Sequence, residues 1–351
     1  MNRIAIIGGA GFIGKNLCEL LEKLGTDYLV IDRFDKQIHG TQPLVEEQKF
    51  REKYSFAKLV VGDFASTECF RELKNFQPDS IVYLASQTGT SDGNVRLQYY
   101  HEENCTKFLS LIAFLDDCPF ETHFLLTSSR AVYGDGFHLN AEGELCRTQK
   151  RDLSNLSRHD FSYSWEGNGG KFVPHSVEIS PTPISFYGAS KLYQEAVLSS
   201  VPRNSITRTT IVRLQNVVGR YQSIHNPYTG LLCWFYKNML NNEIVEIYEN
   251  GNITRDFVDV RSVANLLNDR IRNQQTSTLF DFGNGEQVSL RSIAEKLQSE
   301  LNSSSLITDV AKFREGDCKF AQAAVGPQEQ HYLTFSLQET LKDFIDNVNK
   351  N

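Results

Sequence analysis

The segment from residue 4 to residue 24 constrains the fold of this chain more than any other. An apolar run, Ile4–Ile7, leads into a G-G-A-G-F-I-G sequence at 8–14, and the apolar positions that follow have helical spacing. This order predicts strand, tight turn and helix. Glycines at positions 8, 11 and 14 would let the backbone approach a pyrophosphate at the positive end of the helix. The same triplet also fits an ordinary strand-to-helix turn.

A carboxylate ends the second predicted strand. The run Y-L-V-I at 28–31 stops at Asp32, about twenty residues after the glycines, where a carboxylate can bind adenosine ribose hydroxyls and would repel a 2′-phosphate. Arg33 is a neighbouring cation that would soften this repulsion. The pattern favours NAD over NADP. The alternative is that Asp32 caps a loop.

Composition limits the class of protein. The chain has 351 residues, a formal charge of -7 and no basic stripe, which argues against a nucleic-acid partner. Its seven cysteines lack any C-x-x-C pair, which is typical of reduced packing residues, and we predict no metal site. No apolar run approaches the length of a membrane span, and the first residues lead directly into a strand. We therefore expect a cytoplasmic protein without a membrane partner.

Strand candidates recur along the chain at intervals suited to alternating strands and helices. After the first two they lie at 59–61, 80–85, 124–127, 209–214 and 279–282, with amphipathic crossover helices such as 105–115 and 190–198 between them. This pattern predicts an α/β fold with a Rossmann-type doubly wound parallel sheet. The polar stretch 136–173 shows no sustained periodicity. We expect it to be an insertion over the mouth of the site.

Tyr187 and Lys191 lie four residues apart, on one face of a helix predicted to begin near Gly188. A phenol has a reference pKa of about 10 and needs about 4 kcal/mol of stabilisation to act as a base near pH 7. A cation about 4 Å away, at an effective dielectric of about 20, supplies that amount. The pair therefore predicts a proton acceptor. The alternative is a packed tyrosine beside a lysine that extends to solvent.

Hydroxyl side chains follow the strand at 124–127. They lie at a strand carboxyl end, where open α/β sheets bind ligands, and Ser129 is the hydroxyl we assign to catalysis. The alternative is a serine-rich turn that caps the next helix, a role that stays open for Thr127 and Ser128. Together the sequence predicts a catalytic set of Ser129, Tyr187 and Lys191.

Further motifs follow in a fixed order along nearly the whole chain. They are V-G-D at 61–63, Y-L-A-S at 83–86, Asn104, R-L-Q-N-V-V-G at 213–219, G-N-I-T-R-D-F-V at 251–258 and R-E-G-D at 314–317. With the glycine turn and the catalytic set, the chain resembles the extended short-chain dehydrogenases/reductases of the nucleotide-sugar epimerase and dehydratase family. It departs from them at Tyr83, where histidine is more usual, and at Val218, which replaces an aromatic residue.

The resemblance implies two domains that bind different ligands. Residues 1–215 would bind NAD and carry the insertion at 136–180, while 216–351 would bind a nucleotide-diphosphate sugar, with 256–285 partly returning to the first domain. A homodimer is also implied. The implied cofactor-binding residues are Gly8, Gly11, Phe12, Ile13, Gly14, Asp32, Arg33, Asp63, Phe64, Leu84, Ala85, Ser86, Gln87, Asn104, Tyr187 and Lys191.

The resemblance also implies a substrate site. Its residues would be Thr88, Ser129, Arg130, Asn216, Asn226, Leu231, Tyr248, Arg255 and Arg314. Among these, Asn216, Arg255 and Arg314 would hold the diphosphate, which suits guanidinium groups on a dianion, and Tyr248 would stack on the base. The alternatives are surface salt bridges for the arginines and core packing for the tyrosine.

The residues after Ser129 indicate the reaction. Family members that eliminate water or carbon dioxide carry acidic residues there, whereas this chain has Arg130 and Ala131, which cannot protonate a departing hydroxyl. The remaining chemistry is 4-epimerisation, in which Tyr187 takes the O4 proton, NAD takes the C4 hydride, and the 4-keto sugar turns over before the hydride returns. The alternatives are a 4-keto-sugar reductase that releases its nicotinamide and a non-catalytic NAD-binding regulator.

Within the family, the chain most resembles the dTDP-L-rhamnose 4-epimerases. The similarity lies in the segments 128–134, 214–216 and 226–230 and in Trp165-Glu166 of the insertion. The insertion departs from that subgroup because it lacks a cysteine cluster and keeps only Cys146 nearby. Arg130 would reach the sugar or the diphosphate, or would pair with an acidic residue of the insertion.

Overall fold

A seven-stranded sheet, in which all neighbouring strands run parallel, forms the centre of the molecule. The computed structural model describes residues 3–200, 204–224, 230–273 and 276–348. Its strands are β1 (Ile4–Ile7), β2 (Tyr28–Asp32), β3 (Ala57–Val61), β4 (Ser80–Tyr83), β5 (Thr122–Ser129), β6 (Phe137–Leu139), β7 (Leu145–Arg147), β8 (Lys171–Val173), β9 (Ile206–Leu214), β10 (Asn216–Val218), β11 (Val245–Ile247), β12 (Thr254–Arg255), β13 (Phe257–Asp259), β14 (Thr278–Phe282), β15 (Val288–Ser289) and β16 (Ile307–Asp309).

Helices connect these strands and cover both faces of the sheet. A π-helical turn, Glu102–Thr106, joins the sixth helix to the seventh. The α-helices are α1 (Phe12–Lys23), α2 (Lys36–His39), α3 (Pro43–Lys53), α4 (Thr67–Phe76), α5 (Thr90–Val95), α6 (Leu97–His101), α7 (Lys107–Asp116), α8 (Leu153–Ser157), α9 (Phe186–Ser200), α10 (Leu231–Leu240), α11 (Val260–Arg272), α12 (Leu290–Leu301), α13 (Pro327–Gln330) and α14 (Leu337–Val348).

The strand order determines where a ligand can bind. Across the sheet the order is β14-β9-β5-β4-β1-β2-β3, so the direction of winding reverses between β1 and β4. In open α/β sheets this reversal creates a crevice at the carboxyl ends of the strands. The predicted doubly wound parallel sheet is confirmed, and each strand candidate from the sequence belongs to it.

Both faces of the sheet are buried by apolar helix surfaces. Helices α1 and α11 cover one face, with a cluster that includes Leu17, Leu21, Val30, Leu266 and Leu267. Helices α4, α7 and α9 cover the other, with a cluster that includes Leu73, Phe108, Leu111, Ile112 and Leu198. Burial of each such side chain contributes about 1.5–3 kcal/mol. The sheet is therefore a rigid support for the residues at its carboxyl ends.

Helix α9 carries Tyr187 and Lys191 and starts two residues before the position expected from the sequence. Asn94 Oδ1 accepts the Phe186 N–H at 2.8 Å, and Ser185 Oγ accepts the Gly188 N–H at 3.1 Å. These contacts satisfy donors of the first turn that have no partner within the helix. The long-range contact with Asn94 could not be read from local sequence.

The insertion contains regular structure that its sequence does not reveal. Strand β6 pairs antiparallel with β7 and β8, and three-residue strands are too short for an alternating pattern to be detected. The Trp165 ring stacks on Tyr163 and His138 at centroid distances of 5.5 and 5.2 Å. It also contacts Phe320 at 5.8 Å, so the insertion packs against the carboxyl-terminal part of the chain.

The carboxyl-terminal part has its own core, built by α10, α12 and α14 around residues that include Phe235, Ile293, Leu297 and Phe344. Two of its elements join the large sheet: β14 pairs with β9, and α11 packs on α1. We therefore propose the division at 215/216, with 256–285 partly returning to the first domain. Among the described residues, a helix with the length and apolar character that a bilayer crossing needs is absent.

Candidate active site

A cavity of about 240 Å³ lies at the carboxyl ends of β1, β2 and β4. Its walls bring together fourteen residues that the sequence singled out: Gly8, Gly11, Phe12, Ile13, Gly14, Asp32, Arg33, Asp63, Phe64, Leu84, Ala85, Ser86, Gln87 and Thr88.

The same cavity has walls that sequence reasoning missed. Ile38 and His39 come from α2, the short helix after Asp32, while Gln222 and Ser223 come from a loop almost 200 residues farther along the chain. The first pair lies near enough to Asp32 in sequence to have been suspected. The second pair carries no local motif, because only the tertiary fold brings it to this cavity.

The glycine turn has no room for side chains. Gly8 has a φ of +82°, and a Cβ there would lie 2.7 Å from the Ala85 backbone nitrogen. A Cβ on Gly14 would overlap the backbone of Gly9, which brings α1 close to the turn. The cap residue of α1, Gly11, supplies no side chain, so the first N–H groups of this helix remain open toward an anion. This cradle fits the pyrophosphate of a dinucleotide.

Asp32 both stabilises its loop and lines the cavity. Its Oδ2 accepts the Ala10 N–H at 2.9 Å, and its Oδ1 accepts the Phe34 N–H at 2.9 Å. His39 Nε2 lies 3.8 Å from Oδ1, and burial lowers the pKa of this histidine, which favours its neutral form. The carboxylate is thus held in a fixed orientation at the end of β2, where it fits a ribose diol.

Arg33 is fully engaged by neighbouring groups. Its guanidinium pairs with Asp35 Oδ2 and Glu103 Oε2, both at 2.7 Å, and donates to the Tyr99 hydroxyl at 3.2 Å. Two carboxylates therefore balance its charge. This arrangement does not favour a 2′-phosphate, so the geometry agrees with the preference for NAD over NADP.

Asp63 also meets a cation that the sequence did not suggest. Lys107 Nζ donates to its Oδ2 at 2.5 Å and to Glu103 Oε1 at 2.6 Å. Burial acts to raise the pKa of Asp63, but the hydrogen bond from Lys107 holds it below its usual range. The carboxylate is therefore charged where it lines the cavity.

Asn104 lies in the π-helical turn between α6 and α7 and is fully buried. Its Oδ1 accepts the Gln87 N–H at 2.8 Å and the Ser86 hydroxyl at 3.2 Å. Its Nδ2 donates to the Gln87 carbonyl and to the Ser190 hydroxyl, both at 3.0 Å. The amide therefore ties the 84–88 loop to the catalytic helix α9, and it does not line the cavity.

The predicted hydroxyl and phenol come together at the carboxyl end of β5. The Ser129 hydroxyl lies next to the Tyr187 phenol and favours its ionised form, and its oxygen accepts the Ala131 N–H at 3.2 Å. Thr127 donates instead to the Tyr83 carbonyl at 3.0 Å, and Ser128 donates to Glu195. The cap of the following turn is therefore Ser129, so the capping role considered for Thr127 or Ser128 is wrong.

Lys191 lies one helical turn from Tyr187 but its ammonium is directed elsewhere. Its Nζ donates to the Thr127 carbonyl at 3.0 Å and to Gln194 Oε1 at 3.3 Å. Burial lowers the pKa of Lys191 to about 7, while Glu195 opposes the shift. The lysine is thus anchored two residues before Ser129, at the end of the catalytic strand.

The expected lowering of the Tyr187 pKa by Lys191 is wrong for this structure. Burial raises the pKa of Tyr187, and the opposing contributions come from the Ser129 hydroxyl and from the charge of Arg130. The reason is desolvation, which disfavours the phenolate and which sequence spacing cannot reveal.

Arg130 leads from the catalytic strand to the other half of the site. Its Nε donates to Asn216 Oδ1 at 2.9 Å, and its Nη1 donates to Cys318 Sγ at 3.0 Å. These partners, rather than an acidic residue of the insertion, hold the guanidinium. Arg130 thereby links the turn after Ser129 to the chain around Asp317.

A second, smaller cavity brings together three of the predicted substrate residues, Leu231, Tyr248 and Arg314. The Arg314 guanidinium lies 5.4 Å from the centre of the Tyr248 ring. Trp234, Glu249 and Asp317 also line this cavity and were not in the predicted set. Asn226, the remaining substrate candidate, lies outside the described residues.

Arg255 is buried, so the alternative of a surface salt bridge is wrong for this residue. Its Nη2 pairs with Asp317 Oδ1 at 2.7 Å, and its Nη1 donates to the carbonyls of Thr254 and Lys319. Burial acts to raise the pKa of Asp317, but four surrounding arginines, at 255, 130, 314 and 151, hold it below its usual range. Glu249 pairs with Arg151, and the three other arginines around Asp317 leave a positive excess that suits a diphosphate.

No group of three or more potential metal ligands occurs among the residues that the structure describes.

Comparisons with known proteins agree with this geometry. The sequence profile of the NAD dependent epimerase/dehydratase family matches residues 4–155 and 162–277. The dTDP-L-rhamnose 4-epimerase of Burkholderia thailandensis is 33% identical over 325 residues, which cover 91% of this chain and 86% of that protein.

Solved structures share the fold at lower sequence identity. The UDP-N-acetylglucosamine 4-epimerase from Methanobrevibacter ruminantium M1 has a TM-score of 0.77 at 19% identity and covers 99% of this chain and 98% of its own. The UDP-glucuronic acid 4-epimerase from Bacillus cereus, solved with UDP-glucuronic acid and NAD, has a TM-score of 0.77 at 21% identity and covers 99% of both chains. The family profile and the relative from Burkholderia thailandensis show that the chain belongs to the NAD-dependent epimerase/dehydratase family.

Proposed function

We propose that this protein is a nucleotide-sugar 4-epimerase that inverts C4 of an NDP-hexose, with a dTDP-6-deoxyhexose such as dTDP-L-rhamnose as substrate. The observation that carries the proposal is the placement of Tyr187 beside Ser129 at the end of β5, where Arg130 and Ala131 follow Ser129 directly. Tyr187 can accept a proton there. The two residues that follow Ser129 are not carboxylic acids, so they cannot protonate a departing hydroxyl and drive elimination.

The cofactor cavity supports retention of NAD through the reaction. The glycine turn with Phe12 and Ile13 binds the pyrophosphate, Asp32 binds the adenosine ribose, and Asp63 with Phe64 faces the adenine. Arg33, in its ion pairs, supports the wall around that ribose. The 84–87 loop, held by Asn104, flanks the dinucleotide. When bound, NAD supplies a hydride acceptor and a positive nicotinamide charge that favours the phenolate.

Tyr187 takes the O4 proton of the sugar while C4 is oxidised, and it returns the proton after the 4-keto sugar has turned over. Ser129 hydrogen-bonds the same oxygen and stabilises its developing charge. Lys191 contributes positive charge at the end of β5 and binds the nicotinamide ribose. In this role the lysine must be protonated, which its pKa of about 7 allows below and near neutral pH.

The nucleotide half of the substrate belongs to the second cavity. Arg255 and Arg314 pair with the diphosphate, Tyr248 stacks on the base, and Leu231 packs beside it. Asn216 and Arg130 lie between this cavity and Ser129, where they orient the sugar, and Thr88 faces it from the cofactor side. Asn226 completes the proposed substrate set.

One relative supports the choice of sugar. The dTDP-L-rhamnose 4-epimerase of Burkholderia thailandensis matches this chain over nearly its whole length at 33% identity. We also propose a cytoplasmic homodimer, as implied by the family resemblance. Size-exclusion chromatography with light scattering tests the oligomeric state.

The direct test is to incubate the purified protein with dTDP-L-rhamnose in deuterated water, without added cofactor, and record proton NMR of the sugar ring. We expect a C4 epimer that carries no deuterium at C3 or C5, because only hydride and one exchangeable proton move. Incorporation of deuterium at C3 or C5 would contradict the mechanism. No reaction would reject this sugar, and UDP-hexoses, UDP-hexuronates and 4-keto sugars with NADH or NADPH would be tested next.

A further inference from the structure

Arg151 of the insertion is buried although it carries a charge, and its guanidinium joins two parts of the chain. Its Nη1 donates to Glu249 Oε2 at 2.5 Å, and its Nη2 donates to Glu249 Oε1 at 3.1 Å. The two side chains are only 5% and 1% exposed. The same Nη2 donates to the Asp317 carbonyl at 2.9 Å, and Nη1 reaches the Phe161 carbonyl at 3.3 Å. Arg151 and Glu249 therefore form a bidentate ion pair with little exposure to water.

Glu249, the partner of Arg151, has a backbone conformation that L-residues rarely adopt. Its φ is +53°, the φ of Asn250 is +52°, and Gly251 follows with a φ of +79°. Such residues persist only where surrounding contacts hold them, and they cluster at ligand-binding sites. The turn directly follows Tyr248, and both Tyr248 and Glu249 line the second cavity. The ion pair therefore holds the turn that sets the position of this tyrosine.

The other contact of Arg151 reaches the opposite wall of the same cavity. Asp317, whose carbonyl accepts from Arg151, pairs through its carboxylate with Arg255 and lines the cavity beside Arg314. One guanidinium thus holds the turn at 249–251 and the R-E-G-D loop at 314–317 at a fixed separation.

A second residue of the insertion connects this assembly to the catalytic strand. The Tyr163 hydroxyl donates to Asp135 Oδ1 at 2.5 Å and accepts the Lys319 N–H at 3.2 Å. Asp135 follows the turn that starts at Ser129, and Lys319 follows Asp317 by two residues. The Arg151 guanidinium lies 5.4 Å from the centre of the Tyr163 ring. The insertion therefore spans the distance between catalytic turn and nucleotide cavity.

We propose that Arg151 is a positioning residue for nucleotide recognition. It fixes the turn at 249–251 and the loop at 314–317, the two walls of the nucleotide cavity, relative to each other, although it does not line the cavity itself. The inference rests on the proposed function, because it assumes that the second cavity takes a nucleoside diphosphate. It assigns to the insertion at 136–180 a role in substrate affinity.

The first test measures the Kd of dTDP and of UDP by calorimetry for the wild type, Arg151→Lys and Arg151→Met. We expect Arg151→Met to raise the Kd by about tenfold, equivalent to about 1.4 kcal/mol, with unchanged NAD content. Arg151→Lys keeps the charge but cannot bind both Glu249 oxygens and the Asp317 carbonyl. We therefore expect its Kd to lie between those of the wild type and Arg151→Met. With substrate, KM rises more than kcat falls.

A second variant separates positioning from stability. Arg151→Met alone leaves Glu249 buried without its partner and lowers Tm, whereas Arg151→Met with Glu249→Met removes both charges and recovers Tm. Apolar side chains make no directional bonds to the turn or to the Asp317 carbonyl. We therefore expect the Kd of the double variant to stay raised although its Tm returns.

The matched control is Arg158→Met, since Arg158 is an exposed arginine of the same insertion and donates locally to Asn155 at 2.6 Å. Its Kd and Tm should equal those of the wild type. Recovery of both Tm and Kd in the double variant, or wild-type Kd in Arg151→Met, would overturn the inference alone. Failure of the wild type to bind either nucleotide would reject the proposed function together with the inference.

Discussion

The two cavities of this protein are built in different ways. The cofactor cavity is formed mostly by residues that follow directly on the strands β1, β2, β3 and β4, so most of its walls continue short sequence motifs. The second cavity is assembled from α10, from the turns around 249 and 317 and, through Arg151, from the insertion. Local sequence determines the first, whereas the second depends on ion pairs between distant segments.

The comparison predicts that substitutions in the catalytic set lower the turnover rate but leave ligand binding in both cavities unchanged. Tyr187→Phe should reduce turnover by about 10²–10⁴-fold, because the proton acceptor is lost, while NAD retention and nucleotide-sugar binding stay near wild type. Turnover is followed by NMR, and NAD is quantified after denaturation. Ser129→Ala should lose rate as well but keep NAD. Wild-type turnover by the phenylalanine variant would exclude the mechanism.

A change in the glycine turn should affect only the first cavity. Gly8→Val places a branched side chain at a positive φ and against the Ala85 backbone, so we expect loss of the retained NAD and of activity. Calorimetry with dTDP should still detect nucleotide binding if the variant folds, as checked by circular dichroism. Gly25→Val is the control, since Gly25 also has a positive φ, of +60°, but a Cβ there meets no atom within 4 Å. Equal NAD content in the two variants would contradict the assigned cradle.

A change in the second cavity should show the reverse pattern. Arg255→Met removes the buried partner of Asp317. It also removes a charged hydrogen bond to the ligand, which contributes about 1.5–3 kcal/mol, so nucleotide binding should weaken by about ten- to a hundredfold. NAD content should not change. Loss of NAD in this variant would show that the two cavities are not independent.

The last prediction concerns stability. The pKa of Lys191 is lowered by burial to about 7, so between pH 7 and its ordinary value the unfolded chain binds more protons than the folded one. The free energy of unfolding should therefore rise with pH across this window, by at most about 1.4 kcal/mol per pH unit relative to Lys191→Met. Urea denaturation at pH 7, 8 and 9 measures both curves. Parallel curves would contradict a buried, titrating lysine.

The difference between the cavities also explains what the sequence could predict. The parallel sheet follows from apolar strands at regular intervals, and the residues at the ends of β1, β2 and β4 follow from their motifs. Arg151 and Glu249 have no motif, since their roles arise from an ion pair between residues far apart in sequence. The sequence also could not predict the raised pKa of Tyr187, because desolvation depends on the packing of all surrounding elements.

The central claim is that hydride leaves C4 and returns to C4 within one site. The most direct measurement uses dTDP-L-rhamnose labelled with deuterium at C4, incubated with the purified protein in ordinary water and analysed by proton NMR and mass spectrometry. The account predicts a C4 epimer that retains the deuterium at C4. Replacement of that deuterium by hydrogen, or turnover that stops without a supply of NADH or NADPH, would contradict it.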